Sequence, residues 1–385
     1  MIIKLIQPKM NKRPMDTDLK TRMAPSLGIL TIAKLFEKEH SVIIENENIR
    51  PVNLEEEVDI VGISITVDVM PEAIRLAKQF RSKGIPVVAG GIHMYCNIIS
   101  TSRGCPFRCD FCYNSCKAYE KLYVNRPVEE VIEEIKMIGK KHIMFIDDNF
   151  IGNPKWTKEL IRQIKPLKLK WNAAVSANIG DMPDLLDKMA ESGCQSLFIG
   201  FESLNKTSLA NVHKGQNQVA KFEKLVNEIH KRGIMINASF VFGLDGDDET
   251  TFDETLRWIV ENRIETVTSH ILTPYPGTKL YKNFLEQGRI TDFDLSHYNT
   301  AHVVYQPKNM TAEQLYQGYI DIYKQIYSFK NIMRRLPKSK KQIMPYLAFN
   351  ILYRKYGKFT EKICRLISFE RIGRWGEWIA YKLKE

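Results

Sequence analysis

Nowhere does this chain hold an uninterrupted apolar run near the roughly 20 residues that a membrane-spanning helix needs, which excludes an integral helical membrane protein. The opening Met1-Ile2-Ile3-Lys4-Leu5-Ile6 reads as a strand and not as a secretory signal. Cysteine is scarce, seven in 385 residues, and without secretory features that count excludes a disulfide-stapled fold and places the chain in a reducing cytoplasm. Acid is scarce in one region only: residues 330–385 carry 15 basic and 4 acidic side chains, while the rest carries 41 of each, so the whole net charge of +11 sits in the tail. The 44% of hydrophobic residues is enough to fill the cores of two or three domains.

Three of the few cysteines stand together in Ser102-Arg103-Gly104-Cys105-Pro106-Phe107-Arg108-Cys109-Asp110-Phe111-Cys112-Tyr113. Three thiolates on one tight loop can hold three irons of a [4Fe-4S] cluster and leave the fourth open to substrate. Cys116 follows closely enough to complete a four-thiolate set, so a closed iron–sulfur or structural zinc site is the alternative. Spacing favours the open cluster, because zinc sites pair two separated Cys-x-x-Cys knuckles and the ferredoxin run begins with a gap of two residues, whereas the first gap here is three.

Cys105-x3-Cys109-x2-Cys112, with Phe111 before the last cysteine, resembles the signature of radical S-adenosylmethionine (SAM) enzymes. The resemblance implies a reduced cluster that cleaves SAM to methionine and a 5′-deoxyadenosyl radical, a flavodoxin- or ferredoxin-type reductant, and a low-oxygen cytoplasm. It also implies a partial barrel, and the chain downstream has that rhythm. Strands are predicted at 97–101, 142–146, 169–175, 196–201, 235–242 and 266–272, with helical stretches over 128–138 and near 155–166, 182–192, 216–231 and 249–261. Six such units with right-handed crossovers give an α/β fold, a (β/α)6 barrel.

Polar residues collect where the carboxyl ends of those strands build a site. By the resemblance, Asp147, Asp148 and Asn149 receive the SAM amino group, Glu202 and Ser203 its ribose and carboxylate, and Gly243 its adenine. A carboxylate suits an ammonium group and hydroxyls, and glycine lets a flat purine approach the backbone. Each motif has a plain structural alternative: Asp147-Asp148-Asn149 could cap the next turn, and Gly243 to Gly246 could be a solvated loop. Glu202 is the firmest candidate outside the cysteines, since a lone acid closing an apolar strand has little structural reason to be there.

Residues 1–95 read as a separate unit with strands at 2–6, 41–45, 58–65 and 85–89 and helices over 27–39 and 70–82. It resembles the Rossmann-like cobalamin-binding domain of one branch of radical SAM enzymes, with Ser64, Thr66, Gly90 and Gly91 as small strand-end residues against which a corrin could lie. The Asp-x-His-x-x-Gly lower-ligand motif of many cobalamin domains is missing, and only a few residues separate Gly91 from the first barrel strand, so the domain is shortened. His93, after the glycine pair, reads as a loop residue or a metal ligand.

The barrel is assigned to 96–285 and a helical, basic region to 286–385. The turn-rich Thr273-Pro274-Tyr275-Pro276-Gly277-Thr278 and the stretch His302-Val303-Val304-Tyr305 resemble segments of the same branch and are expected near substrate, with His297 and His302 as candidate bases. In the tail, Arg371, Arg374, Trp375, Trp378 and Lys382 fall at helical spacings that suit an anionic membrane surface. A helical subdomain packed on the barrel is the alternative, and nucleic acid ranks below both because no nucleic-acid module is present. Cys96, Cys116, Cys194 and Cys364 are too dispersed for a second cluster, as a methylthiotransferase or tRNA modifier would carry. The expectation is a radical SAM enzyme of the type that includes hopanoid methylases, modifying an unactivated carbon of a small-molecule or lipid-like substrate by cobalamin-dependent methylation. Cobalamin-independent radical chemistry and a non-catalytic iron–sulfur or zinc protein are the alternatives.

Overall fold

Apolar residues at helical spacing between short β-branched runs leave the backbone one economical arrangement, parallel strands covered by their own crossover helices. The computed structural model describes residues 1–10, 27–90, 98–116 and 123–355. It has two parallel sheets. The first is formed by β1 (Ile2–Gln7), β2 (Ser41–Asn46), β3 (Ile60–Ser64) and β4 (Val87–Gly90) in the order β2-β1-β3-β4. Helix Met70–Ser82 buries Ala73, Leu76 and Phe80 against Ile6, Val61 and Ile63, and a smaller core of Ile3, Leu5, Ile29 and Ala33 lies apart from it.

Pairing registers place Asn46, Gln7, Ser64 and Gly90 side by side along the carboxyl edge of this sheet. The chain leaves β1 in opposite directions toward β2 and β3, so the topological switch point lies between Gln7 and Ser64. Gly91, His93 and Cys96 lie outside the described residues, as do Cys364 and the tail from residue 356. Among the described residues no helix is long and apolar enough to cross a membrane.

The second sheet holds β5 (Ile98–Ile99), β8 (His142–Phe145), β9 (Lys170–Val175), β10 (Cys194–Glu202), β11 (Met235–Phe242) and β12 (Thr266–Ile271), adjacent in that order and all parallel. The hairpin of β6 (Ser102–Arg103) and β7 (Val124–Asn125) is inserted after β5. Alternation divides the strands into two faces. Phe145, Trp171, Ala173, Leu197, Ile199, Ile236, Ala238, Val267 and Ile271 are buried against the helices. The opposite parity, Asn172, Ala174, Ser196, Phe198, Asn237 and Thr268, is only part-buried, with Met144 exposed, and lines the concave side.

Sequence reading ran one helix through 216–231, but the chain first makes helix Lys206–Asn211, then a loop, and the second helix begins at Phe222. Beyond the barrel, Tyr305 donates to the carbonyl of Gly243 at 2.5 Å, and Arg289 grips Asp245 at 2.8 Å, so this region buttresses the loop after β11. Helix Ala312–Ile326, started by a Thr311–Gln314 capping box, packs on β12 and on helix Thr250–Glu261.

Candidate active site

The cysteine loop is anchored from three sides. Asp147, two residues past β8, accepts from the Thr101 and Ser102 backbone N–H groups at 2.7 and 2.5 Å and from both hydroxyls at 2.9 Å. Its carboxylate is therefore committed to holding the loop against β8. Asp110, between Cys109 and Phe111, donates its N–H to the carbonyl of Val212, accepts Leu280 N–H on its own carbonyl, and pairs with His213 Nδ1 at 2.7 Å. The loop after helix Lys206–Asn211 and the start of helix Lys279–Glu286 thus both hold the cysteine run.

Cys105, Cys109 and Cys112 face one open cleft of about 700 Å³ whose other walls include Phe111, Asn114, Asp148, Asn149, Ala174, Phe198, Glu202, Lys214 and Gln216. Burial pushes the Cys105 thiol up to about 11, and burial also raises Cys112, so metal must displace protons to bind here. Gln216 donates to Cys109 Sγ at 3.5 Å and Asn114 to Cys112 Sγ at 3.6 Å. Cys116 is placed differently: a Cβ on Gly277 would lie 3.5 Å from its sulfur, which therefore packs on the turn after β12. Among the described residues no three His, Cys, Asp or Glu side chains converge as one metal ion requires.

Glu202 lines the same cleft as the cysteines. The strand slips register between Gly200 and Glu202, and Glu202 takes a left-handed backbone, φ 66°, which turns its side chain into the cleft. Lys214 donates to one carboxylate oxygen and Ser239 to the other at 3.5 Å. Burial alone would lower the Lys214 ammonium, but Glu202, joined by the Cys109 and Cys112 sulfurs, holds it above the ordinary lysine value. Asn217 fixes the bulge by donating to the carbonyls of Gly200 and Phe201 at 2.8 and 2.7 Å.

Asp148 and Asn149 reach the cleft, and Tyr113 donates to Asp148. Asp147 and Ser203 do not line it; Ser203 turns to Asp247, 3.4 Å away. Gly243 is also outside the lining and is held by the Asp247 carboxylate through its N–H at 3.1 Å. Ser64 and Gly90 belong to the first sheet, and Thr66, two residues past β3, donates to Asp68 at 2.5 Å. His297 and His302 stack with ring centroids 4.9 Å apart, their Nδ1 atoms engaged by Asp292 and Asn299. The segment Leu295–His297 packs against Val67–Val69, the turn after β3, so the two histidines belong to the boundary with the N-terminal unit.

Sequence reading missed Lys214, Gln216 and Asn217. Their signal was present in the polar run His213-Lys214-Gly215-Gln216-Asn217, which has no apolar periodicity and so cannot start a core helix.

Residues 99–259 match the Radical SAM superfamily model, and residues 278–366 match a domain of unknown function, DUF4070. Residues 99–259 are a radical SAM domain. Over 244 residues the chain is 34% identical to a bacteriochlorophyllide d C-12(1)-methyltransferase of Chlorobaculum tepidum, covering 62% of this chain and 53% of that protein. It thus spans about half the length of this relative. A bacteriochlorophyllide d C-8(2)-methyltransferase of the same organism is 24% identical over 438 aligned positions, covering 92% of this chain and 95% of that one. The solved structure of OxsB, a cobalamin-dependent S-adenosylmethionine radical enzyme with aqua-cobalamin bound, shares the fold, with a TM-score of 0.61 over 93% of this chain and 72% of that chain at 14% identity.

A radical SAM domain takes a [4Fe-4S] cluster and SAM, and the cleft residues fit both. Three thiols line one cleft, two have side-chain N–H donors on their sulfurs, and a buried carboxylate–ammonium pair lines the same cleft.

Proposed function

We propose that this chain methylates, or otherwise modifies by radical chemistry, an unactivated carbon of a small amphipathic ring substrate. The observation that carries the reading is the cleft in which Cys105, Cys109 and Cys112 face the Glu202–Lys214 pair within a partial barrel. The chemistry supplied there is reductive cleavage of SAM, hydrogen abstraction from carbon by the 5′-deoxyadenosyl radical, and methyl transfer when a corrinoid occupies the N-terminal crevice.

Cys105, Cys109 and Cys112 would hold the cluster, which would supply the electron for reductive cleavage of SAM. Asp148 and Asn149 lie on the side that an ammonium would approach, and Lys214, already anchored by Glu202, can meet a carboxylate without further ordering. The concave face below combines apolar Met144 and Phe198 with the hydrogen-bonded pairs Asn172–Ser196, 2.8 Å, and Asn237–Thr268, 3.2 Å. Such a mixed wall suits a flat apolar body carrying polar substituents, in keeping with the bacteriochlorophyllide d named for the two relatives. Electrons would come from a flavodoxin- or ferredoxin-type donor. The residues behind the membrane reading, Arg371, Arg374, Trp375, Trp378 and Lys382, lie outside the described residues, whereas the earlier part of the basic tail packs on the barrel, where buried Arg335 donates to the carbonyls of Ile264 and Ile326.

Features of the N-terminal unit support a corrinoid site. The row Asn46, Gln7, Ser64 and Gly90 spans the switch point, and Asn46 buries an amide Nδ2 without a hydrogen-bond partner at that edge.

The deciding experiment is anaerobic reconstitution of the full chain with iron and sulfide, then incubation with dithionite and SAM. Formation of 5′-deoxyadenosine, abolished in Cys112→Ala, is the expected result. An intact cluster that neither binds nor cleaves SAM would remove the reading.

A further inference from the structure

The side-chain amides beside the cysteine sulfurs are not explained by packing. Asn114 is buried, yet its carbonyl oxygen has no partner, while its Nδ2 is directed at Cys112 Sγ at 3.6 Å. An asparagine kept for structure alone would satisfy the carbonyl first, since a buried unpaired acceptor is destabilising. Gln216 reaches the neighbouring sulfur, Cys109 Sγ, from a different element, across 107 positions of sequence. Cys105 has no such side-chain donor among the described residues, and Asp148 is the acid nearest to it in the cleft.

We propose that Asn114 and Gln216 set the reduction potential of the cluster, a role that rests on the cluster reading above. One electron from a low-potential donor adds negative charge that is spread over the thiolate sulfurs, with no bond made or broken and no proton taken up. An N–H aimed at a sulfur stabilises the reduced state more than the oxidised one, so each donor makes reduction easier. Both donors act on the Cys109 and Cys112 side, where the Lys214 ammonium also lies. The Asp148 carboxylate bears on both Cys105 and Cys112, so Cys109, with the Gln216 donor, is the sulfur it opposes least.

The test is an electron-paramagnetic-resonance redox titration of the reconstituted full chain without SAM, comparing the wild type with Asn114→Leu, Gln216→Leu and the double variant. Each single change should lower the reduced-to-oxidised ratio at fixed potential about tenfold, equivalent to about 59 mV for a one-electron couple, and the double change about a hundredfold. Midpoints that stay at the wild-type value with full iron content would overturn the proposal while leaving the cluster reading intact; a wild type that holds no cluster would overturn both. Should the leucine variants lose iron, the isosteric Asn114→Asp and Gln216→Glu replace the donor by an acceptor and must shift the midpoint further in the same direction. The wild type provides a test without substitution: ¹⁵N placed in side-chain amides must couple to the reduced cluster in pulsed resonance, and absence of that coupling sinks the assignment.

Discussion

Glu202 closes the apolar strand β10, and the lysine that neutralises it, Lys214, lies twelve residues on in the loop before helix Phe222–Lys231. Removing the lysine strands a buried carboxylate, which typically costs about 3–5 kcal/mol unless the acid takes up a proton. Lys214→Met should therefore lower the denaturation midpoint of the barrel and weaken SAM binding by at least tenfold, as read by equilibrium dialysis. Wild-type SAM affinity in that variant would mean the pair only braces the bulge. Gly243 illustrates a different kind of residue, one whose surroundings admit no side chain. It adopts φ 93°, and a Cβ there would come within 2.3 Å of the Tyr305 hydroxyl and 2.6 Å of Leu315 Cδ2. Gly243→Ala should cost about 2–4 kcal/mol, seen as a lower urea midpoint with an unchanged slope.

At the scale of elements, β8 explains why two adjacent aspartates have separate tasks. Ile143 and Phe145 face the helices while Met144 faces the concave side, and continuing that alternation puts Asp147 with the buried set and Asp148 toward the cleft. The parity was readable in the sequence, but which face held the cofactor was not. Asp147→Ala would leave two buried N–H groups and two hydroxyls without an acceptor and untie the cysteine loop from β8. The expected outcome is a several-fold drop in iron retained per chain after reconstitution, with helical content unchanged by circular dichroism; Asp148→Ala should keep its iron and lose SAM affinity. Equal iron in wild type and Asp147→Ala would show that the loop holds its shape without the clamp. The strands themselves were legible because buried parallel strands are dense in β-branched and aromatic residues. The stretch from 206 to 221 was not, because its residues serve the cysteine loop and bulge: His213 pairs with Asp110, Gln216 reaches Cys109, and Asn217 ties Gly200. Local propensity carries no trace of such distant partners.

For the whole molecule, the question is whether the N-terminal sheet and the barrel serve one reaction or two separable ones. The carboxyl edge at Gln7 and Ser64 and the cysteine cleft belong to different sheets, and the post-barrel segment Leu295–His297 packs beside the first of them. If a corrinoid occupies that edge, filling it should abolish corrinoid binding without touching the cysteine cleft. Ser64→Trp places a large ring at the switch point, on the half-buried last residue of β3, while leaving the backbone groups that pair the strands in place. Gel filtration after incubation with hydroxocobalamin should give near-stoichiometric corrinoid with the wild type and almost none with Ser64→Trp, while both make 5′-deoxyadenosine at similar rates in the absence of substrate. Loss of both activities together would mean that the two sheets form one cooperative site. A wild type that binds no corrinoid would remove methyl transfer through cobalamin and leave a radical SAM domain whose N-terminal unit acts by packing alone.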